Sequence, residues 1–119
     1  MIVVVPGLPP SINHAYNQHR QGGRGLKDEA REYQEWARLA AMEAAQGWKW
    51  QGSWLRLRFK WYMPNYRVRD ISNAKKVLED GIAEGIGVND KFFLWTDEIP
   101  EVDKAKPRVE VTIIEEATA

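Results

Sequence analysis

The 119-residue sequence contains no cysteine, which excludes disulfide bonds, thiolate metal sites and cysteine nucleophiles. It also lacks a long hydrophobic run, because the longest wholly apolar segment, residues 2–6, is far too short to span a bilayer. No glycine-rich phosphate-binding pattern occurs, so a nucleotide cofactor is not expected. No basic stretch precedes an apolar segment of signal-peptide length. We therefore expect one small cytoplasmic domain that spans residues 1–119 and has no membrane partner.

The formal net charge is zero, but the charges are unevenly distributed along the chain. Residues 1–69 hold eleven Lys or Arg and five Asp or Glu, a net charge of +6, whereas residues 70–119 hold six and twelve, a net charge of −6. Such asymmetry is typical of proteins that bind nucleic acid on one side. Two solvated faces that neutralise each other after folding would explain it equally well.

Six tryptophans are a high number for this length, and five of them lie between residues 36 and 61. Tryptophan usually occupies a core or an interface. Stacking on nucleobases is the less favoured interpretation for most of them.

Hydrophobic periodicity predicts a single α+β domain with a mixed sheet and the element order β-α-β-α-β-β. Gly85 and Gly87 are predicted to end the second helix. The strand over 54–63 alternates apolar residues with Arg56, Arg58 and Lys60, which gives it a basic outer face. The predicted elements are a buried strand over 2–5, a helix over 27–46, a strand over 54–63, a helix over 71–86, and strands over 92–99 and 108–115.

The second helix carries polar residues on one face. At 100° per residue, this face holds Asp70, Asn73, Lys76 and Asp80, opposite an apolar face. If the polar face is only solvated, Asp70 is a helix cap, and Lys76 and Asp80 form an ordinary i,i+4 pair. The alternative interpretation is that this face lines a site.

The residues that flank this helix favour a site. Arg67 and Arg69 precede the helix N-terminus, where free backbone N–H groups also attract anions. Hard cations such as Mg²⁺ prefer carboxylate oxygens, so Asp70 together with Asp90 from a later loop could hold a cation beside a phosphate. Asp80 lies about 15 Å along the helix from Asp70 and cannot share that ion.

Four motifs resemble the RusA family of Holliday junction resolvases, which are small endodeoxyribonucleases of prophage type. The similarity covers nearly the whole chain in one order and implies a RusA-like α+β fold. The motifs are the opening Pro9-Pro10-Ser11-Ile12-Asn13-His14-x-Tyr16, the central Arg69-Asp70-x-Ser72-Asn73-x-x-Lys76-x-x-x-Asp80, the turn Gly87-x-Asn89-Asp90, and the closing strand over 109–114.

The resemblance implies an enzyme of DNA recombination and repair that nicks four-way junctions symmetrically as a Mg²⁺-dependent homodimer, with Mn²⁺ as a possible substitute. Such a protein would associate with the nucleoid when bound to DNA. By the same resemblance, Asp70 and Asp90 are catalytic metal ligands, Lys76 is the catalytic lysine, and Ser72, Asn73 and Asp80 are supporting residues. The residues predicted to bind DNA are Asn13, Arg20, Arg24, Arg56, Arg58, Lys60, Arg67 and Arg69.

Two residues depart from the family pattern. Ser72 stands where the resolvases place an aspartate, and Asn89 stands where an aspartate often precedes the metal-binding one. The departures remove up to two negative charges, which leaves open a junction-binding protein with weak or no cleavage. A further alternative is an oligomeric interaction module whose tryptophans form the interface.

Overall fold

The computed structural model describes residues 1–9, 26–66 and 72–118. Within these residues, five strands and two long helices follow one another in the order β-α-β-α-β-β-β. A 3₁₀ turn at Asp90–Phe92 precedes the third strand. The elements are β1 (Ile2–Pro6), α1 (Leu26–Ala44), β2 (Ser53–Met63), α2 (Ser72–Ile86), β3 (Phe93–Asp97), β4 (Glu101–Val102) and β5 (Arg108–Thr118).

The sheet is mixed, as the sequence predicts. Its strand order is β1-β5-β2-β3, and the short β4 pairs with the far end of β2. The strand β5 runs antiparallel to both β1 and β2, whereas β3 and β4 run parallel to β2. The two-residue β4 was not predicted, because it is too short to show a hydrophobic period.

One face of the sheet carries the core. Along β2 the residues Leu55, Leu57, Phe59 and Trp61 are fully buried. They form one cluster with apolar residues of both helices, which therefore cover this face. The basic residues between them point to the opposite face because successive side chains of a strand alternate. The predicted alternation of β2 is thereby confirmed.

The prediction of a buried first strand is only half right. Val3 and Val5 are fully buried, but Ile2 and Val4 are exposed. The reason is that the helices cover only one face of the sheet, so the alternate side chains of β1 point away from the core. A β-branched run does not distinguish this arrangement from burial on both faces.

The two helices approach closely through small residues. A Cβ atom added at Gly81 would lie 2.6 Å from the backbone oxygen of Gln34, and one added at Gly85 would lie 2.5 Å from that of Arg38. Ala37 and Ala41 of α1 lie opposite the two glycines. The prediction that Gly85 ends the helix is therefore wrong.

The helix α2 continues past Gly85 and ends after Ile86. Gly87, with a φ of +73°, is the residue that ends it, because the left-handed conformation suits glycine. The prediction that Gly87 ends this helix is confirmed.

Candidate functional site

A lysine and two aspartates from separate segments meet beside α2. The Nζ atom of Lys76 lies 3.2 Å from Oδ1 of Asp80 and 3.8 Å from Oδ2 of Asp90. Asp80 is one helical turn further along α2, whereas Asp90 belongs to the 3₁₀ turn. The structure thus brings together three of the residues that the sequence analysis selected.

Asn89 fixes the turn that presents Asp90. Its side-chain oxygen accepts a hydrogen bond of 2.9 Å from the backbone N–H of Lys91, so it caps the 3₁₀ turn. Asn89 therefore has a structural role, although its amide lacks the negative charge that an aspartate would have at this position. The preceding Gly87 allows the sharp change of direction between α2 and the turn.

Sequence reasoning missed Glu79, which faces the same group. Partial burial, a hydrogen bond to Asp90 and the repulsion between the two carboxylates raise the pKa of Glu79 to about 7. Its position three residues after Lys76 could have indicated it, since residues at i and i+3 are neighbours on a helix. Negative charge is thus concentrated around Asp90, and we call Lys76, Glu79, Asp80 and Asp90 the carboxylate–lysine cluster.

Lys76 is a cation in this cluster. Its hydrogen bond to Asp80, with the attraction of the surrounding carboxylates, raises the pKa of the ammonium group above its usual value. The side chain is 66% exposed, so its charged end is accessible to an approaching anion. A protonated, exposed lysine can stabilise negative charge or donate a proton, but it cannot serve as a base.

An open cleft of about 510 Å³ adjoins the cluster. Asp80 and Asp90 line one part of it, and the end of α2 lines another. Across the cleft, Nε2 of Gln34 donates a 2.8 Å hydrogen bond to Glu84, which connects α1 to α2 at this position. The cleft gives an extended ligand access to both aspartates.

The cations of β2 lie on the other face of the sheet from α2. Arg56 pairs with Glu116 and also donates to the hydroxyl of Thr96. Lys60 lies 3.2 Å from a carboxylate oxygen of Glu101. Arg58 is exposed on the same face. The structure does not bring these three predicted DNA-binding residues next to Lys76.

The remaining predicted site residues fall into two groups. Ser72 and Asn73 lie in the first turn of α2, one turn before Lys76. Six others lie outside the described residues: Asn13, Arg20, Arg24, Arg67, Arg69 and Asp70. Within the part of the chain that the structure describes, no group of three or more His, Asp or Glu side chains could hold a metal ion by itself, and no helix is long and apolar enough to cross a membrane.

A cation among carboxylates at the mouth of an open cleft, on a mixed α+β domain, is an arrangement suited to chemistry on phosphate esters. Comparison with protein families agrees with this class. The family model described as Endodeoxyribonuclease RusA matches residues 6–114, which is most of the chain. The chain therefore belongs to the RusA endodeoxyribonuclease family, as the motifs predicted. No curated protein matches the chain.

Proposed function

We propose that this protein is a divalent-metal-dependent resolvase that nicks four-way DNA junctions symmetrically as a homodimer. Membership of an endodeoxyribonuclease family supports the nuclease activity. The observation that carries the site assignment is the 3.8 Å approach of Lys76 to Asp90, two residues fourteen positions apart in sequence. A two-fold dimer suits a junction of near two-fold symmetry, because one site then meets each of two opposed strands.

Asp90 offers carboxylate oxygens, which are the ligands that a hard divalent cation prefers. Asp90 would hold the ion together with Asp70, and Mg²⁺, which retains several waters, needs few protein carboxylates. When bound, such a cation supplies Lewis-acid stabilisation of charge at the attacked phosphate. Ser72, in the first turn of α2, would support this end of the site.

The chain's own residues bind and orient the phosphate. Lys76 offsets the charge that develops on the phosphate oxygens, or protonates the leaving oxygen. Asp80 is a positioning residue, because its 3.2 Å contact keeps the Lys76 ammonium beside Asp90. Arg67 and Arg69 would contact the flanking phosphates, which fixes the position of the strand without reading its sequence.

An end-labelled four-way junction with Mg²⁺ tests this function. We expect paired nicks at symmetric positions in two opposed strands, no nicks in chelator, and a gel shift of the junction under both conditions. Fully paired duplex of the same sequences is the control substrate and should stay intact. Nicking of duplex and junction at equal rates would contradict the proposed selectivity.

Junction binding without cleavage is the second candidate function. It is favoured by the engagement of Asp90 with Lys76 and Glu79 and by the serine at position 72. A gel shift without nicks across a full Mg²⁺ and Mn²⁺ titration would establish it. Both candidates predict junction binding that weakens as the salt concentration rises. An interaction module would show no salt-dependent binding of the junction.

The role of Asp80 gives a separate prediction. Replacing Asp80 with Asn should lower the nicking rate about tenfold, because Lys76 loses its closer partner and its fixed position. The matched control is Asp97→Asn. This substitution removes a carboxylate of β3 that lies 2.8 Å from Lys75, the neighbour of Lys76 on α2. Equal loss of activity in both variants would mean that Asp80 contributes only to the helix surface. Single-turnover nicking rates decide between these outcomes.

A further inference from the structure

The 3₁₀ turn that carries Asp90 also carries an aromatic ring on its other side. Phe92 lies two residues after Asp90, and its ring centroid is 4.8 Å from that of Trp50 and 5.7 Å from that of Trp54. All three side chains are half-buried. We call them the aromatic cluster.

The aromatic cluster connects the two faces of the sheet. Trp54 lies between the buried residues Ser53 and Leu55, so it shares the outer face of β2 with the cations that follow it. Asp90, at the start of the same short turn as Phe92, approaches Lys76 on the helix side. A DNA strand that runs from the outer face of the sheet to Asp90 would therefore pass over the aromatic rings.

The rings are held in place and are flanked by positive charge. Trp50 donates a 2.8 Å hydrogen bond through Nε1 to the backbone oxygen of Ser53, which fixes its plane. The Lys91 ammonium lies 5.2 Å from the centroid of the Phe92 ring and is exposed, as is Lys49 beside Trp50. Partly exposed aromatic rings beside lysines are a combination with which proteins bind single-stranded nucleic acid.

We propose that the aromatic cluster stacks on a nucleobase at the branch point of the four-way junction, next to the phosphate that is cut. This inference rests on the proposed nuclease function and adds a specificity determinant to it. Fully stacked duplex presents no free base face, whereas the branch point of a junction offers bases whose stacking partner is interrupted. Binding one such base would align the neighbouring phosphate with Asp90 and Lys76, and would favour junctions over duplex.

The test compares binding of a four-way junction and of a paired duplex in Ca²⁺, with 2-aminopurine at the branch point as a reporter of base stacking. Trp54→Leu should weaken junction binding about tenfold and remove the fluorescence change of the reporter, with duplex binding unchanged. Trp54→Phe keeps an aromatic face and should stay within about threefold of the parent. Trp36→Leu, on the exposed side of α1, is the matched control and should bind as the parent does.

Two results would overturn the inference while the proposed function stands: Trp54→Leu binding the junction as tightly as the parent, or losing junction and duplex affinity equally with a lowered melting temperature. A second variant, Phe92→Leu, separates a folding defect from a binding defect, because it removes the ring that contacts both tryptophans. If it folds normally and binds the junction like the parent, the inference is wrong. A parent protein that neither binds nor nicks the junction would overturn the proposed function itself.

Discussion

Replacing Asp90 with asparagine should lower the rate of junction nicking by at least about 100-fold, with little change in junction affinity. The substitution keeps the shape of the side chain but removes the charge that pairs with Lys76 and would hold the cation. Metal-ion catalysis stabilises the transition state by several kcal/mol, and each ~1.4 kcal/mol corresponds to a factor of ten in rate. Single-turnover nicking in saturating Mg²⁺ measures the effect, and a gel shift in Ca²⁺ measures affinity.

The matched control for Asp90 is Asp103→Asn. The two aspartate side chains are equally exposed, at 34%, and each lies near a cation, but Asp103 pairs with Arg108 at the start of β5. We expect the control to nick at the parental rate, because exposed ion pairs contribute only about 0–1 kcal/mol to stability. If Asp90→Asn nicks as fast as this control, the carboxylate–lysine cluster is not the nuclease site.

The second large effect concerns stability. Gly85→Ala should destabilise the protein by about 2 kcal/mol, whereas in an open helix the same substitution stabilises by about 1 kcal/mol. The reason is the close approach of the helices: the added methyl group would lie 2.5 Å from the backbone oxygen of Arg38 and 2.6 Å from Cβ of Ala41. Because one of these atoms belongs to the backbone, no side-chain rotation relieves the overlap. Denaturant unfolding measures the change.

Gly87→Ala provides the comparison, because nothing lies within 4 Å of its added Cβ atom. Its cost comes only from the left-handed backbone, about 1–2 kcal/mol. A gain in stability for Gly85→Ala would show that α1 and α2 are further apart than the structure has them. Nicking by the folded fraction should persist in Gly85→Ala, since Gly85 faces α1 rather than the carboxylate–lysine cluster.

The sequence was sufficient for those elements that bury a periodic face. The alternation along β2 and the apolar period of α2 both follow from the requirement that one side of each element faces the core. The end of α2 was predicted less well, because two glycines lie close together there. A glycine near the end of a helix can be a stop, as Gly87 is, or a close-packing position, as Gly85 is, and only the distance to α1 distinguishes them.

The candidate site was predictable in part. Lys76 with Asp80 follows from helical spacing, and Asp90 was selected as a carboxylate of a later loop and by the resemblance to a known family. The contact between Asp90 and α2 depends on how the chain turns after Gly87, which local sequence does not determine. Glu79 was missed because its hydrogen bond to Asp90 forms only through that turn, and the aromatic cluster was missed because Phe92 meets Trp50 and Trp54 only in the folded chain.

The position of β5 has a consequence for folding during synthesis. It is the last strand along the chain, yet it lies between β1 and β2, with its first pairing partner more than 100 residues earlier. Until the ribosome has released it, β1 has no neighbour, and β2 presents an unpaired apolar strand edge. Nascent chains are therefore open to association through that edge until β5 has been synthesised, and chaperones that shield exposed strands should increase the yield of folded protein.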